Sequence, residues 1–542
     1  MSGPRLYLAG LSGAGKSAVA ERIAGWLGWA AVDVDREVEA VECLAVAEIW
    51  ARQGEAGFRE AERRAVERAV ESAAGPAVIA LGGGALEDPG SRERLARWGE
   101  GVWLDGPPAV LAVRAGEGRP LLTGPDPAAR LLELLEERRP RYSALRHRVD
   151  ASGPLEAVAV EVLRRLEWPA PEEIAEGIVF GRGVLGRADI AERALGGGGA
   201  AGRVAPSGGG SPGPVVVATD ARVGRLHGGA LTAAISATGH AAAPVELPEG
   251  EEGKSIDGLT ALWSALAVAG ADRDTPLAAL GGGAVGDVAG LAAATWKRGI
   301  PLAIWPTTIL AQVDAAIGGK NAIDFAGVKN PVGTFWPPRL VAIDPLAPLT
   351  LPERDWRAGW AEVVKAGLIG DPGLFDLCER EGAGLAARRL DVVEPAIRRA
   401  AAVKAAVVTR DPREAGERRA LNLGHTLGHA LEAAAGGALL HGEAVAIGLV
   451  AAARWAESEG IARAGLADRA AAALDGLGLP TRPPAGLGPA ALAERVRHDK
   501  KRAGGRLHAA LPVAPGEVRI VALDDAAVDR WIATLFEGVE VG

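Results

Sequence analysis

Short apolar runs alternate with amphipathic helical stretches through the first part of the chain. The runs are bounded by Gly, Pro or charged residues, which is typical of strands that are buried on both faces of a sheet. They cover Arg5–Ala9, Ala31–Val34, Ala77–Leu81, Val102–Leu104 and His147–Ala151. Helical periodicity lies between them, for example over Lys16–Leu27 and Arg59–Ser72. The alternation predicts a parallel α/β sheet over residues 1–166.

The same alternation resumes after a short acidic, Pro-containing stretch, residues 167–175, which we interpret as a linker. The strand candidates here are Gly177–Phe180, Val215–Thr219, Leu277–Leu280, Leu302–Trp305 and Leu340–Ile343. They predict a second α/β domain over residues 176–345. After about residue 345 the strand signals fade and long Ala-rich helical patterns take over. We therefore expect an all-helical domain over residues 346–542.

A Gly/Ser/Pro-rich tract, residues 196–214, interrupts the second α/β domain. Such tracts do not bury a core and often join domains. However, the helix expected over Arg187–Leu195 belongs with the strand Val215–Thr219 on the other side of the tract. We therefore interpret residues 196–214 as a surface insertion within one domain.

Composition narrows the class of protein. The net charge of −9 disfavours nucleic acid and anionic membranes as partners. The two cysteines, Cys43 and Cys378, are far apart and indicate neither a disulfide framework nor a thiolate metal site. There is no apolar run of 18 residues and no apolar leader at the start. These features predict a cytoplasmic protein that acts on small molecules.

The segment Gly10–Ser17, GLSGAGKS, follows a predicted strand and opens a predicted helix. This is the phosphate-binding loop of nucleotide-binding proteins, in which backbone N–H groups around Gly13 and Gly15 cradle the phosphates. Lys16 would reach the β- and γ-phosphates of ATP, and Ser17 would ligate Mg²⁺. Residues further along the chain have to decide which ATP-dependent reaction is served.

Two carboxylates, Asp33 and Asp35, are expected on the same side of a strand end because their spacing is two. One suits Mg²⁺ through water and the other suits a substrate hydroxyl. The glycines Gly82–Gly84 at another strand end allow a ligand to approach the backbone closely. Each later arginine alone is more often a surface charge than a ligand contact, but their order and spacing are informative: the candidates are Arg59, Arg119 and Arg138.

This set of motifs resembles shikimate kinase over roughly residues 4–166. The resemblance rests on GLSGAGKS, DVD, GEAGFRE, LGGGA, RPLL and ERRPRY in the order of that family. It implies transfer of the ATP γ-phosphoryl group to the 3-hydroxyl of shikimate. Asp35 would then be the base at the reacting hydroxyl, with Arg59 and Arg138 on the shikimate carboxylate, Gly82–Gly84 along the ring, and Arg119 on the ATP phosphates. The segment before Arg119 is shorter than is usual in that family, which leaves the role of Arg114 open.

A second set of candidates lies in the other part of the chain. Gly281–Asp287 follows a strand and opens a helix, so it suits a pyrophosphate. His425 and His429 share one face of a predicted helix, and His441 follows a Gly-rich turn. With Glu362 they offer the donors of a catalytic Zn²⁺ site. Capping or surface histidines are the plain alternative, but three of the eight histidines lie within this short segment.

These motifs resemble 3-dehydroquinate synthase over about residues 175–542. The resemblance rests on EGEEGKS, GGGAVGD, WKRG, PTTILAQVDAAIGGK, GVKNPVG, TLPERDWRAGWAEVVK, ERRALNLGHTLGHALE, HGEAVAIG and HDKK. It implies NAD⁺, one divalent metal such as Zn²⁺ or Co²⁺, and cyclisation of 3-deoxy-D-arabino-heptulosonate 7-phosphate to 3-dehydroquinate with release of phosphate. Asn321 stands where Thr is common in that family, and the tract 196–214 has no usual counterpart.

The resemblance also implies a role for each matching residue. The metal ligands are Glu362, His425 and His441. The catalytic and substrate-binding set is Asp314, Lys320, Lys329, Asn330, Lys365, Lys404, Arg418, Asn422 and His429, with Arg298 on the phosphate and Lys500 or Lys501 from the C-terminal segment. The NAD⁺ set is Glu249, Lys254, Gly282, Gly283, Gly286, Asp287, Thr307 and Thr308, with Lys320 and Lys329 at its edge.

Three alternatives remain open at the level of sequence. The second part could be a different sugar-phosphate cyclase or a metal-dependent polyol dehydrogenase, although the many anion-binding groups disfavour a dehydrogenase. One part could also be a non-catalytic regulatory or dimerisation module. The resemblance further implies a homodimer formed through the synthase part.

Overall fold

The computed structural model describes residues 5–73, 75–116, 120–122, 125–196, 213–497, 502–503 and 506–536. The chain divides into two compact units: the first comprises Met1–Glu167 and Arg389–Asp391, and the second comprises Trp168–Arg388 and Val392–Gly542. Arg119, Lys500, Lys501 and nearly all of the tract 196–214 lie outside the described residues, so the predictions made for them stay predictions.

The first unit is a five-stranded parallel sheet flanked by helices. The strand order is β2-β3-β1-β4-β5, and every neighbouring pair runs parallel. The central strands are buried along most of their length, which explains why they were visible in the sequence as apolar runs. The elements are β1 Arg5–Ala9, α1 Lys16–Leu27, β2 Ala30–Asp33, α2 Val34–Glu42, α3 Val46–Ser72, β3 Ala77–Ala80, α4 Pro89–Trp98, β4 Glu100–Asp105, α5 Pro108–Ala115, α6 Pro127–Tyr142, β5 His147–Asp150 and α7 Leu155–Arg165.

The second unit begins with a seven-stranded sheet in the order β6-β7-β14-β11-β10-β8-β9. All pairs are parallel except β6 and β7, which are antiparallel. The elements are β6 Glu172–Ala175, β7 Ile178–Phe180, α8 Ala188–Leu195, β8 Val215–Asp220, α9 Ala221–Val223, α10 Gly229–Ala237, β9 Ala242–Leu247, α11 Ile256–Val268, β10 Leu277–Gly281, α12 Gly283–Thr295, β11 Leu302–Pro306, β12 Lys320–Phe325, β13 Val328–Phe335 and β14 Leu340–Ile343.

The interpretation of residues 167–175 as a linker needs correction, because β6 forms the edge of this sheet. Its register places Glu172 opposite Phe180 and Glu173 opposite Val179. The Glu173 carboxylate also accepts a hydrogen bond from the backbone N–H of Gly177, at 2.8 Å. An acidic edge strand has no buried face of its own, so it lacks the apolar run that reveals a central strand.

The remainder of the second unit is mainly helical, as predicted, but it is not all-helical. The polypeptide contributes a three-stranded antiparallel sheet, β15-β16-β17, near its C-terminal end. The elements are α13 Glu353–Gly370, α14 Pro372–Ala386, α15 Leu390–Arg410, α16 His425–Ala434, α17 His441–Ser458, α18 Leu466–Gly476, α19 Pro489–Arg497, β15 Arg502–Ala503, β16 Arg506–Ala514, β17 Glu517–Leu523 and α20 Asp525–Thr534.

The two cysteines differ in exposure. Cys43 is exposed at the C-terminal end of α2, whereas Cys378 is buried in α14. Burial raises the pKa of the Cys378 thiol to about 12. Among the described helices, none is both long enough and apolar enough to cross a bilayer.

Candidate functional sites

The phosphate-binding loop joins β1 to α1 in the first unit. Gly13 has φ +83°, and a Cβ there would lie 2.0 Å from the carbonyl oxygen of Leu111, so only glycine fits. The Lys16 ammonium donates to the carbonyl oxygens of Gly10 and Leu11, at 2.9 and 3.1 Å. The loop therefore has its lysine folded against its own backbone, at the N-terminal end of a helix.

The spacing of two suggested that Asp33 and Asp35 lie on one strand, but the structure places them in different elements. β2 ends at Asp33, and Asp35 lies in the first turn of α2. Asp33 caps this helix, because its carboxylate accepts hydrogen bonds from the backbone N–H groups of Asp35 and Arg36, at 3.0 and 3.2 Å. The cap fixes the direction in which Asp35 leaves the helix.

Four charged side chains surround the segment Gly82–Gly84, namely those of Asp35, Arg59, Glu62 and Arg138. A Cβ on Gly82 would lie 2.1 Å from Glu62 Oε1 and 2.8 Å from Asp35 Oδ1, and one on Gly84 would lie 2.1 Å from Arg59 Nη1. The three glycines thus leave the space into which these side chains extend. The prediction that Asp35, Arg59 and the glycines meet at one place is consistent with this geometry.

Glu62 is a residue of this site that the sequence analysis did not single out. It is buried, forms an ion pair with Arg59 at 2.7 Å, and has no hydrogen-bond partner for Oε1. Burial raises the pKa of Glu62, and Arg59 partly offsets this rise. Its position three residues after Arg59 on α3 is the signal that could have identified it, since such pairs share a helix face.

Arg138 approaches the same segment from α6. Its Nη1 donates to the carbonyl oxygen of Gly83 at 2.9 Å, and Tyr142 donates to the same oxygen at 2.7 Å. The guanidinium is buried and its Nε has no partner, so it retains capacity for an anion. The open question about Arg114 is answered, because its guanidinium donates to the backbone carbonyls of residues 151–153.

In the second unit, the Gly-rich loop joins β10 to α12. Gly282 caps α12, so the first backbone N–H groups of the helix are available at the carboxyl edge of the parallel sheet. Asp287, in the second turn of α12, pairs with the buried Lys254 at 2.8 Å. Lys254 also donates to Asn330 Oδ1 at 2.5 Å. Burial raises the pKa of Asp287 to about 6, although Lys254 opposes the rise.

Other residues predicted for the dinucleotide lie around this loop. The backbone N–H of Thr307 donates to the Gly281 carbonyl, and the Thr307 hydroxyl is buried without a partner. Thr308 lies beside Gly282 and its hydroxyl accepts from the N–H of Ala311. Glu249 is exposed at the turn that leads to Lys254.

Glu362, His425 and His441 form a cluster of potential metal ligands. Their donor atoms lie within 4.8 Å of one another, and His425 Nε2 and His441 Nε2 are 3.4 and 3.6 Å from Glu362 Oε1. His425 Nδ1 faces the Leu423 carbonyl and His441 Nδ1 faces the Glu432 carboxylate, both at 3.1 Å. Because each Nδ1 is engaged in these contacts, the two Nε2 atoms are directed toward the same point. This is the arrangement of a two-histidine, one-carboxylate metal site.

The chemistry of the donors fits a divalent cation. Both Glu362 oxygens are buried and neither has a hydrogen bond of good geometry, although the Lys365 ammonium pairs with Oε2. A buried carboxylate whose oxygens lack hydrogen-bond donors is costly, so a cation at this point would stabilise it further. The His429 ring lies edge-on to that of His425 and tilted to that of His441, at centroid distances of 5.2 and 5.8 Å, but His429 is not one of the three clustered ligands.

Asp314 lies next to this cluster, between two buried lysines. It is 2.6 Å from Lys404 Nζ and 3.4 Å from Lys365 Nζ. Burial alone would raise the pKa of Asp314, but the two ammonium groups outweigh it and hold the pKa below its usual range. Burial lowers the pKa of Lys404, so this amine gives up its proton more easily than an ordinary lysine.

Lys320, Arg418 and Asn422 meet around the loop that follows α15. Lys320 pairs with Glu414, and Asn422 donates to the same carboxylate at 2.7 Å. Arg418 is buried and donates to the carbonyls of Pro412 and Gly318, at 2.6 and 3.0 Å. Glu414 was not anticipated from the sequence, and it holds two residues that were.

Lys329 and Asn330 come from the hairpin β12–β13, which was not predicted. Lys329 pairs with Glu432 at 2.6 Å and with Glu251 at 3.5 Å. Arg298, in contrast, is exposed after α12, and within the described residues it forms no hydrogen bond or ion pair. Its predicted contact with a phosphate stays a prediction.

Comparison with known proteins decides the family. A model described as 3-dehydroquinate synthase N-terminal matches residues 244–358, and one described as 3-dehydroquinate synthase C-terminal matches residues 359–502. The 3-dehydroquinate synthase of Symbiobacterium thermophilum is 46% identical over 319 residues, which are 58% of this chain and 88% of that protein. The chain belongs to the 3-dehydroquinate synthase family. The 3-dehydroquinate synthase of Geobacter metallireducens is also 46% identical, over 57% of this chain and 86% of its own length.

The first unit matches a second family. A model described as shikimate kinase matches residues 12–167, ahead of the synthase domains. We refer to the two compact units as the kinase unit and the synthase unit. Among solved structures, 2-epi-5-epi-valiolone synthase from Streptomyces hygroscopicus, with NAD⁺ and Zn²⁺ bound, aligns with 69% of this chain and 99% of its own at 28% identity and a TM-score of 0.58.

Proposed function

We propose that the chain is a bifunctional enzyme of the shikimate pathway. The kinase unit phosphorylates shikimate with ATP to give shikimate 3-phosphate. The synthase unit converts 3-deoxy-D-arabino-heptulosonate 7-phosphate to 3-dehydroquinate with release of phosphate. The proposal is supported by the matches to both families together with a complete set of candidate residues in each unit.

In the kinase unit, the observation that carries the proposal is the convergence of Asp35, Arg59 and Arg138 on Gly82–Gly84. Arg59 and Arg138 bind the shikimate carboxylate, since planar guanidinium groups suit a bidentate anion. Asp35 accepts the proton of the reacting hydroxyl, and Lys16 moves from the loop carbonyls to the transferred phosphate. Ser17, and Asp33 through water, are the candidates to hold Mg²⁺.

In the synthase unit, Glu362, His425 and His441 are proposed to hold Zn²⁺ or Co²⁺. A metal bound there supplies Lewis acidity, which lowers the pKa of a substrate hydroxyl. The loop around Gly282, Gly283 and Gly286 and the pair Lys254–Asp287 are proposed to hold NAD⁺. The related 2-deoxy-scyllo-inosose synthase has been solved with NAD⁺, Co²⁺ and carbaglucose-6-phosphate, which supports this pairing of cofactors.

The protein's own groups provide proton transfer and anion binding around these cofactors. Asp314, Lys365 and Lys404 form a buried network of charged groups. The Lys404 amine gives up its proton easily, so this network suits proton exchange with a substrate hydroxyl. The groups proposed to bind the carboxylate, the phosphate and the hydroxyls of the substrate are Lys320, Lys329, Asn330, Arg418, Asn422 and His429, together with Arg298 and Lys500 or Lys501.

The strongest rival is another sugar-phosphate cyclase, because the structural relatives include such enzymes. The identity of 46% to 3-dehydroquinate synthases, against 28% to the valiolone synthase, favours the proposed substrate. Assays of the purified chain with the heptulosonate phosphate, with glucose 6-phosphate, and with shikimate plus ATP test both reactions; the carba analogue of glucose 6-phosphate is bound in the related 2-deoxy-scyllo-inosose synthase. Turnover of glucose 6-phosphate alone would contradict the proposed synthase activity.

The metal assignment has a test of its own. Replacing His441 by Ala removes one of three ligands, so the variant should retain little zinc after dialysis. Replacing His429 by Ala should leave stoichiometric zinc but abolish most synthase turnover, because His429 lies beside the cluster and not in it. Metal analysis of the two variants side by side decides the assignment. A metal-free His429 variant together with a zinc-loaded His441 variant would reverse it.

We further propose domain limits of 1–167, 168–345 and 346–542, with β6 included in the second domain, a cytoplasmic location and a homodimer formed through the synthase unit. Soluble, phosphorylated substrates and diffusible cofactors support the location. Light scattering of the purified chain would determine the oligomeric state.

A further inference from the structure

The Glu432 carboxylate has two partners: the proposed metal ligand His441 and the proposed substrate-binding residue Lys329. It lies in α16, close to the end of the helix that starts with His425. Its Oε2 accepts from His441 Nδ1 at 3.1 Å, and its Oε1 accepts from Lys329 Nζ at 2.6 Å. One oxygen therefore faces the metal cluster, and the other faces a lysine of the hairpin β12–β13.

The contact with His441 sets how that ring is presented. An imidazole has two nitrogens, and a carboxylate at Nδ1 holds the proton there, so Nε2 is left as the metal donor. Nε2 is also the atom that lies 3.6 Å from Glu362 Oε1. His425 differs, because its Nδ1 faces the neutral Leu423 carbonyl. At Nδ1, His441 thus faces a charged group and His425 faces a neutral one.

The contact with Lys329 can change how much of the Glu432 charge acts on His441. Lys329 also pairs with Glu251, which lies in the turn that precedes Lys254. Its side chain is more than half exposed, whereas that of Glu432 is 15% exposed. Lys329 is thus free to exchange partners at the surface, and Glu432 is fixed beside the histidine.

We propose that Glu432 is a positioning residue that orients His441 for the metal, and that Lys329 tempers this effect by sharing its charge. When Lys329 binds an anionic group, Glu432 is left with His441 as its main partner. The metal is then held by a more basic imidazole. This inference rests on the proposed metal site and adds a group outside the three ligands.

The variants Glu432→Gln and Lys329→Met separate orientation from general packing. Glutamine keeps the shape but removes the charge, so zinc affinity should fall by about 10- to 100-fold. Lys329→Met leaves Glu432 charged with His441 as its main partner, so zinc affinity should rise, and an affinity equal to that of the unchanged protein would contradict the role given to Lys329. Glu379→Gln is a matched control, because Glu379 is another partly buried helix carboxylate but pairs with Arg469 and not with a histidine. Its zinc affinity should equal that of the unchanged protein.

The measurement is competition for zinc against a chromogenic chelator, with the full chain and with thermal unfolding followed in parallel. Equal loss of zinc affinity in the Glu432 and Lys329 variants would overturn the proposal, because it would indicate only a general loosening of the packing around His441. Unchanged affinity in Glu432→Gln would overturn it as well. If the unchanged protein binds no zinc, the proposed metal site itself fails, which is a different outcome.

Discussion

At the scale of single residues, Asp35 carries the clearest prediction for the kinase unit. Asp35→Asn keeps the size of the side chain and removes its ability to accept a proton. Shikimate phosphorylation should fall by about 10²- to 10⁴-fold. ATP binding, measured by equilibrium titration, should be unchanged because Asp35 does not lie in the phosphate-binding loop. Glu60→Gln is the control, since Glu60 is exposed and pairs with the surface residue Arg63. A parallel loss of ATP affinity would assign Asp35 to the nucleotide instead.

His441 carries a prediction about pH. The neighbouring carboxylates Glu362 and Glu432 raise the pKa of His441 to about 9 in the metal-free protein, against the opposing effect of burial. We therefore expect the imidazole to be protonated at pH 7, so that a metal has to displace that proton. Binding at pH 7 should release about one proton, and zinc affinity should rise with pH up to about 9. Calorimetry in two buffers of different ionisation enthalpy measures the release. An affinity that does not change between pH 7 and 9 would contradict this assignment.

Much of both sites was accessible from sequence at this scale, because the residues stand in compact motifs. Lys16, Asp35, Glu362, His425 and His441 all lie in such motifs, and the structure brings the last three together. Glu62, Glu414 and Glu432 were missed. Each is defined by a partner side chain, and for Glu414 and Glu432 that partner lies far along the chain. Apolar periodicity carries no information about such pairs.

At the scale of elements, β6 carries a prediction about where the synthase unit can be cut. A fragment that starts at residue 176 lacks β6 and leaves the edge of β7 without its partner. Each lost backbone hydrogen bond costs about 1 kcal/mol, and an unpaired edge promotes aggregation. The fragment 176–542 should therefore melt at a lower temperature and be less soluble than the fragment 168–542.

The control for this comparison is the fragment 168–542 carrying Glu172→Ala. That change removes the exposed ion pair between Glu172 and Arg398 but keeps the strand. An exposed pair contributes little, so its melting temperature should match that of the parent fragment. Equal melting temperatures for the fragments starting at 168 and 176 would show that β6 does not stabilise the sheet.

Elements with a buried apolar face were predictable from the sequence, and those without one were not. β1, α1 and β14 have the predicted limits, and the other central strands are displaced by a residue or two. The hairpin β12–β13 was missed because much of it is exposed and its chain is rich in polar residues and glycine. β16 and β17 were missed because the Ala-rich helices around them dominated the pattern, although Glu517–Leu523 partly alternates between charged and apolar residues.

At the scale of the whole molecule, each compact unit contains a full set of candidate residues. The fragments 1–167 and 168–542 should therefore each retain their own activity, with a kcat equal to that of the full chain. A zinc-selective chelator, in excess magnesium, should abolish only the synthase reaction. A folded fragment 1–167 that does not turn over ATP with shikimate would show that the synthase unit completes the kinase site.

The difference between the two cysteines has a practical consequence for fluorescence work. A maleimide dye should react with the exposed Cys43 and spare Cys378, whose thiol is buried and hard to ionise. Cys43 directly follows α2, the helix whose first turn carries Asp35. The natural sequence thus provides one labelling position per chain, located on the kinase unit. A dye attached there would report shikimate binding to the kinase unit without any engineered cysteine. The synthase unit of the same molecule would carry no dye.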